Sequence, residues 1–94
     1  MQHSQPKQRF PLGQVVITTH ASERLNPFDA CASLRRHAFG DWGQLDPEDV
    51  QENEVSLQEG FRLLSMYKDR NGTKFYIITE ADRSVTTLLL PEEY

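Results

Sequence analysis

The dipeptide Asn71-Gly72 constrains this chain more than any other feature. It lies between two runs rich in β-branched and aromatic residues, 61–68 and 74–80. Asn-Gly in that setting specifies a β-hairpin, because a type I′ turn needs positive φ at both central residues. A third run, 84–90, follows closely, so the C-terminal third reads as a three-stranded antiparallel meander. Within it Phe75, Ile77 and Thr79 alternate with Tyr76, Ile78 and Glu80, and Val85, Thr87 and Leu89 alternate with Thr86, Leu88 and Leu90. Both faces therefore carry apolar side chains. Such a sheet needs cover on both sides: helices on one, and a partner or the chain's own N-terminal arm on the other.

Upstream, residues 1–13 are rich in Gln, Pro, Lys and Arg, with Phe10 and Leu12 as the large apolar groups, and read as a flexible arm whose end can dock. Residues 14–94 form a single domain. Its first element, 14–20, is β-branched through its centre and is expected as a fourth strand of the same sheet. Two helices follow. Asn26-Pro27 opens one and Gly40 closes it; Asp46-Pro47 opens the other and Gly60 closes it at the same separation. In the first, Phe28, Cys31, Leu34 and Ala38 make an apolar stripe, and Arg35, Arg36 and His37 place positive charge at the C-terminal end of the dipole. The second has Val50, Val55 and Leu57 alone as large apolar residues. The architecture expected is α+β: a four-stranded antiparallel sheet in the order β-α-α-β-β-β, with two helices packed on one face.

Charge is distributed unevenly. The net charge is −4, yet Asp41, Asp46, Glu48, Asp49, Glu52, Glu54 and Glu59 fall in one segment without Lys or Arg, and the rest of the chain is left at +3. An acidic chain is a poor general nucleic-acid binder, since neutralised phosphates supply most non-specific affinity. No apolar run approaches the roughly 20 residues of a spanning helix, and the N-terminus lacks an apolar signal core, so no membrane partner and a cytoplasmic location are expected. Cys31, the one cysteine, excludes an internal disulfide and reads as a buried thiol. His20 and His37 lack metal-ligand spacing, and no phosphate loop or nucleophile motif is present, so neither metal nor cofactor is implied. Trp42, between two connector glycines, either plugs the core or anchors a partner. With Glu48, Asp49, Glu52, Glu54 and Glu59 it makes up a candidate surface for a protein with a basic face. A homodimer would be another way to cover a two-sided sheet.

Two resemblances add to this. The run Thr18-Thr19-His20-Ala21-Ser22-Glu23-Arg24-Leu25, with Gly60-Phe61-Arg62-Leu63 leading into the meander, resembles small RelE- and BrnT-like proteins, over roughly residues 15–90. That resemblance implies an endoribonuclease in which His20 acts as base or acid, Arg24, Arg62 and Lys74 balance phosphate charge, and Tyr76 stacks on a base. The chain departs from those toxins in its acidity and in Asn26-Pro27-Phe28-Asp29, where they continue with basic residues. The segment 74–84 and the ending Leu90-Pro91-Glu92-Glu93-Tyr94 resemble small proteins of bacterial plasmids and integrated elements. This second resemblance implies a protein that binds and blocks a host or defence complex without catalysis.

Overall fold

The structure is a computed structural model and describes residues 7–94; the first six residues of the arm lie outside the described residues. Four strands form one sheet: β1 (Gln14–Ile17), β2 (Leu63–Lys68), β3 (Lys74–Thr79) and β4 (Val85–Leu89). Between β1 and β2 come α1 (Thr19–Arg24), α2 (Pro27–Ala38) and α3 (Pro47–Glu59), and a 3-10 turn, Pro91–Glu93, ends the chain. The fold is α+β with its helices on one face of the sheet, in the strand order β1-β4-β3-β2.

The meander is antiparallel as expected, but β1 joins β4 in parallel, so the sheet is mixed. The reason is directional. In a three-stranded meander the first and last strands run the same way, and the helical crossover from β1 brings the chain back to begin β2 in that same direction.

The hairpin turn also differs from a type I′ turn. Gly72 has positive φ and Asn71 does not. Gly72 N–H instead closes onto Asp69 C=O, and the Asp69 carboxylate accepts from Asn71 and Thr73 N–H and, through its other oxygen, from Asn26 N–H. One side chain thus sets the turn and fastens it to the start of α2.

The helix starts follow the sequence signals, although the Asp46 side chain makes no cap bond. Asn26 accepts from Phe28 and Asp29 N–H, and Pro27 and Pro47 open their helices. Gly60 ends α3 in the left-handed region at φ 79°. The buried side of α2 is not the stripe the apolar residues suggest. Ala30, Ser33, His37 and Ala38 are the buried residues, while Cys31 is exposed and Phe28 is 75% exposed. His37 claims the buried side of α2 because the sheet offers it partners.

Those partners form a continuous chain under α2. Ser65 Oγ lies 2.5 Å from His37 Nδ1, and His37 Nε2 lies 2.8 Å from Thr79 Oγ1. Thr79 Oγ1 is 2.7 Å from Thr86 Oγ1, which donates to Leu12 C=O. The last acceptor fixes every proton. Thr86 gives its hydrogen to the carbonyl, so Thr79 donates to Thr86 and His37 Nε2–H donates to Thr79. Nδ1 is then left to accept from Ser65. The imidazole is neutral, and burial, helped by the nearby positive Arg83, pushes its pKa down to about 3. His37 therefore supplies no positive charge to the helix dipole.

Two apolar clusters flank this chain on the helix side. One joins Ala21, Leu25 and Ala30 to Tyr67, Phe75, Ile77, Leu88 and Leu90; the other joins Phe10, Trp42 and Leu63 to Val50 and Leu57. The described part of the arm thus docks on the helix side. Arg9 N–H bonds Ala38 C=O, and Phe10 stacks on Trp42 and meets His37 edge-on. The opposite face of the sheet carries Val16, Leu64, Met66, Tyr76, Ile78 and Leu89, with Tyr94 set edge-on to Tyr76. Residues 7–13 do not cover it.

The two sheet edges are treated differently. Along β2, Asn53 of α3 takes both polar groups of Leu64, donating to its C=O and accepting from its N–H. Met66 N–H then bonds Trp42 C=O, and Gln44 N–H bonds Met66 C=O. Gly43 makes this bridge possible: at φ 74°, a Cβ there would stand 1.9 Å from the Met66 carbonyl oxygen. Beyond β1, no backbone partner is present among the described residues.

Two measurements follow. Gly60→Ala, with open space around the added carbon, should cost about 1 kcal/mol in urea denaturation. Gly43→Ala should cost at least about 3 kcal/mol, because the β2 edge must also open; equal losses would contradict the close approach. The pH dependence follows from His37, which in the unfolded chain titrates near 6.5. As pH falls below that value the unfolded chain takes up a proton that the fold refuses until about 3. Stability should be fully present above pH 6.5 and decline below it, by up to about 1.4 kcal/mol per pH unit. A flat profile between pH 6.5 and 5, measured by urea denaturation, would show that His37 is not held neutral.

Candidate functional site

The acidic segment divides into residues used internally and residues left on the surface. Trp42 belongs to the first group. The connector folds back on β2, which turns the indole inward between Phe10 and His37 and leaves it 3% exposed. It is a core residue and not a surface anchor. Its Nε1–H donates to Glu54 Oε2 at 2.8 Å, and Glu54 also receives both guanidinium nitrogens of Arg9 at 2.9 Å. These bonds hold the Glu54 carboxyl below its ordinary range. Glu54 therefore clamps the arm and the connector to α3.

The remaining acids of α3 point outward. Glu48, Asp49, Glu52 and Glu59 are exposed, and no cation pairs with them among the described residues. By contrast, Asp29, Asp41, Glu54, Glu80, Glu92 and Glu93 each face an Arg or His. Glu48 and Glu52 stand one helical turn apart, a like-charge spacing that destabilises a helix. Glu59 lies in the last turn, where the dipole favours cations, and no basic residue accompanies it. Among these acids sits Val55, 51% exposed, with Gln51, Glu52 and Ser56 forming a shallow depression around it; Phe61, just past the helix, is 59% exposed. The face combines unneutralised acids with exposed apolar side chains.

The residues named for RNA chemistry are not gathered in one place. His20 and Arg24 share α1 and a hollow of about 350 Å³ with Leu90 and Glu92. Each faces a carboxylate of the C-terminal turn: His20 Nδ1 is 3.5 Å from Glu93, and Arg24 is 2.9 Å from Glu92. Arg62 precedes β2 at the opposite end of the sheet and pairs with Glu80 at 3.1 Å. Lys74 begins β3, exposed and opposite Lys68, and Tyr76 lies half-buried on the face away from the helices. Among the described residues no cluster of His, Cys, Asp and Glu has the makings of a metal site. No helix among them is long and apolar enough to cross a membrane.

Sequence reasoning missed the roles of Arg9 and Arg83. The Arg83 guanidinium donates to the carbonyls of Phe61, Glu80, Ala81 and Ser56, and so ties the β3–β4 turn to the end of α3. The signal was a lone arginine in a turn beside Asp82 and Ser84, and Arg83 is the one residue other than glycine with positive φ among those described. No family model, curated protein or solved structure matches the chain.

Glu54→Ala strands the buried indole N–H and frees Arg9, and should lower stability by about 1–3 kcal/mol with a shift in Trp42 fluorescence. Glu52→Ala should change stability by less than about 0.5 kcal/mol. Paired urea titrations distinguish the two, and an equal effect would remove Glu54 from the clamp.

Proposed function

We propose that this protein acts without catalysis, by binding a protein with a basic surface through the outer face of α3, as small plasmid and integrated-element proteins that block a host or defence complex would do. One observation carries this reading. Glu48, Glu52 and Glu59 lie unneutralised around exposed Val55; Glu48 suits the N-terminal end of the helix dipole, but Glu52 repels Glu48 one turn away and Glu59 opposes the dipole at the far end, so the placement of Glu52 and Glu59 is accounted for by something outside the chain. Opposed charge steers encounter and suppresses wrong partners, and an apolar centre such as Val55 with Phe61 supplies the contact that excludes water. Trp42 and Glu54, occupied within the fold, act by holding α3 in position.

The ribonuclease reading rests on His20 and Arg24 sharing one hollow. The carboxylates of Glu92 and Glu93 beside them oppose a phosphate there, which favours the binding reading.

Tagged protein and a Glu48→Lys/Glu52→Lys/Glu59→Lys variant should be compared in pull-downs from a bacterial lysate treated with ribonuclease. The expected result is a stoichiometric protein retained by the parent, released by moderate salt and lost by the variant, while both proteins unfold at similar urea concentrations. Recovery of RNA alone, abolished by the nuclease and by His20→Ala, would replace this reading with the ribonuclease one.

A further inference from the structure

The sheet is closed on one edge and open on the other. In a parallel pair, alternate residues of a strand direct both polar groups to the neighbour. Gln14 N–H bonds Ser84 C=O and Thr18 N–H bonds Leu88 C=O, so Gln14, Val16 and Thr18 face β4. The N–H and C=O groups of Val15 and Ile17 therefore point away from the sheet, and they have no partner among the described residues. The β2 edge, by contrast, is sealed by Asn53, Trp42 and Gln44.

The side chains beside this edge are also uncovered. Val15 and Ile17 stand level with the buried Thr86 and Leu88 and so project to the helix side, yet each remains 43% exposed. On that side a groove of about 570 Å³ runs between the docked arm and α2, lined by Gln8, Leu12, Phe28, Cys31, Leu34 and Arg35 among others. Leu12 connects the two features, since it lines the groove and leads through Gly13 into β1. The exposure of Phe28 and Cys31, unexplained by the packing of α2, is accounted for if this wall has an occupant.

We infer that the β1 edge and this groove together accept an extended segment of another protein as a fifth strand, with alternate apolar side chains entering the groove and an acidic one reaching Arg35. The backbone of Val15 and Ile17 supplies the ladder, and the groove supplies selectivity, the usual division of labour in strand addition. Charge decides the occupant. Arg35 lines the groove with its guanidinium 5.2 Å from the centre of the Phe39 ring, and no acid pairs with it among the described residues. The nearest acid along α2, Asp29, is held by Arg70. A second copy is a poorer match, because its own β1, Gln14–Ile17, brings no carboxylate. The surface is separate from the acidic face of α3, and the inference stands whether or not that face binds a partner.

The test uses the full chain and a capped peptide, Thr-Val-Thr-Glu-Thr-Val-Thr, which places Val, Glu and Val on one side, with its Lys-for-Glu counterpart as control. The Glu peptide should slow amide exchange at Val15 and Ile17 by about tenfold or more and bind better than the Lys peptide. Arg35→Glu should reverse that preference. Ile17→Pro, which removes an N–H the fold does not use, should keep the parent's urea midpoint and lose the peptide. If proline unfolds the chain, the Arg35→Glu reversal and the exchange at Val15 still decide. Binding of neither peptide at millimolar concentration, binding without protection at Val15 and Ile17, or an unchanged preference in Arg35→Glu would overturn the inference. So would protection of these amides that grows with protein concentration alone, which would identify β1 as a contact between copies.

Discussion

The hydrogen-bonded chain from Ser65 through His37, Thr79 and Thr86 to the carbonyl of Leu12 crosses every layer of the molecule. It touches β2, α2, β3, β4 and the arm in turn, and each hydrogen has one direction. A buried polar group left without its partner is expensive, so each segment must be in place for the others to be satisfied. Phe10 and Trp42 pack their rings against the imidazole and keep water from it. The arm is thereby part of the fold from Arg9 onward: its backbone bonds α2, its carbonyl ends the polar chain, and its guanidinium is held by Glu54.

The same economy governs α3. With Val50 and Leu57 as its apolar contribution, the helix cannot rely on burial alone. Asn53 compensates by bonding the β2 backbone, Glu54 by taking Arg9 and Trp42, and Arg83 by reaching the Ser56 carbonyl at its far end. Polar attachments at three points leave the outer side of the helix with no structural duty. That is why four acids can remain there without neutralisation, and why the acidic segment divides so cleanly into inward and outward members.

Much of the architecture was legible in the chain because it depends on local chemistry. Asn26-Pro27, Pro47 and Gly60 mark helix ends by satisfying or avoiding particular backbone groups, and the alternation in 74–90 marks strands. What escaped depends on partners distant in sequence. The turn at Asn71-Gly72 takes a different form because the Asp69 side chain bonds it from outside. The buried side of α2 was misplaced because His37 and Ser33 do not register as apolar, and His37 is welcome in the core only once Ser65 and Thr79 are beside it. Trp42 turns inward because Gly43 lets the connector join β2. The acidic face was visible as a run of charge, but separating Glu54 from Glu52 required knowing where Arg9 lies.

The unequal edges set the valency of the sheet. A sheet open on both sides can be extended at each end and so can propagate from copy to copy into a fibre. Here the side chain of Asn53 and the connector through Gly43 terminate one direction permanently. Any strand added at β1 completes the ladder, and the assembly stops there. A strand added at β1 would therefore lengthen the sheet in one direction only, because the Leu64 and Met66 backbone groups at the other edge are already taken.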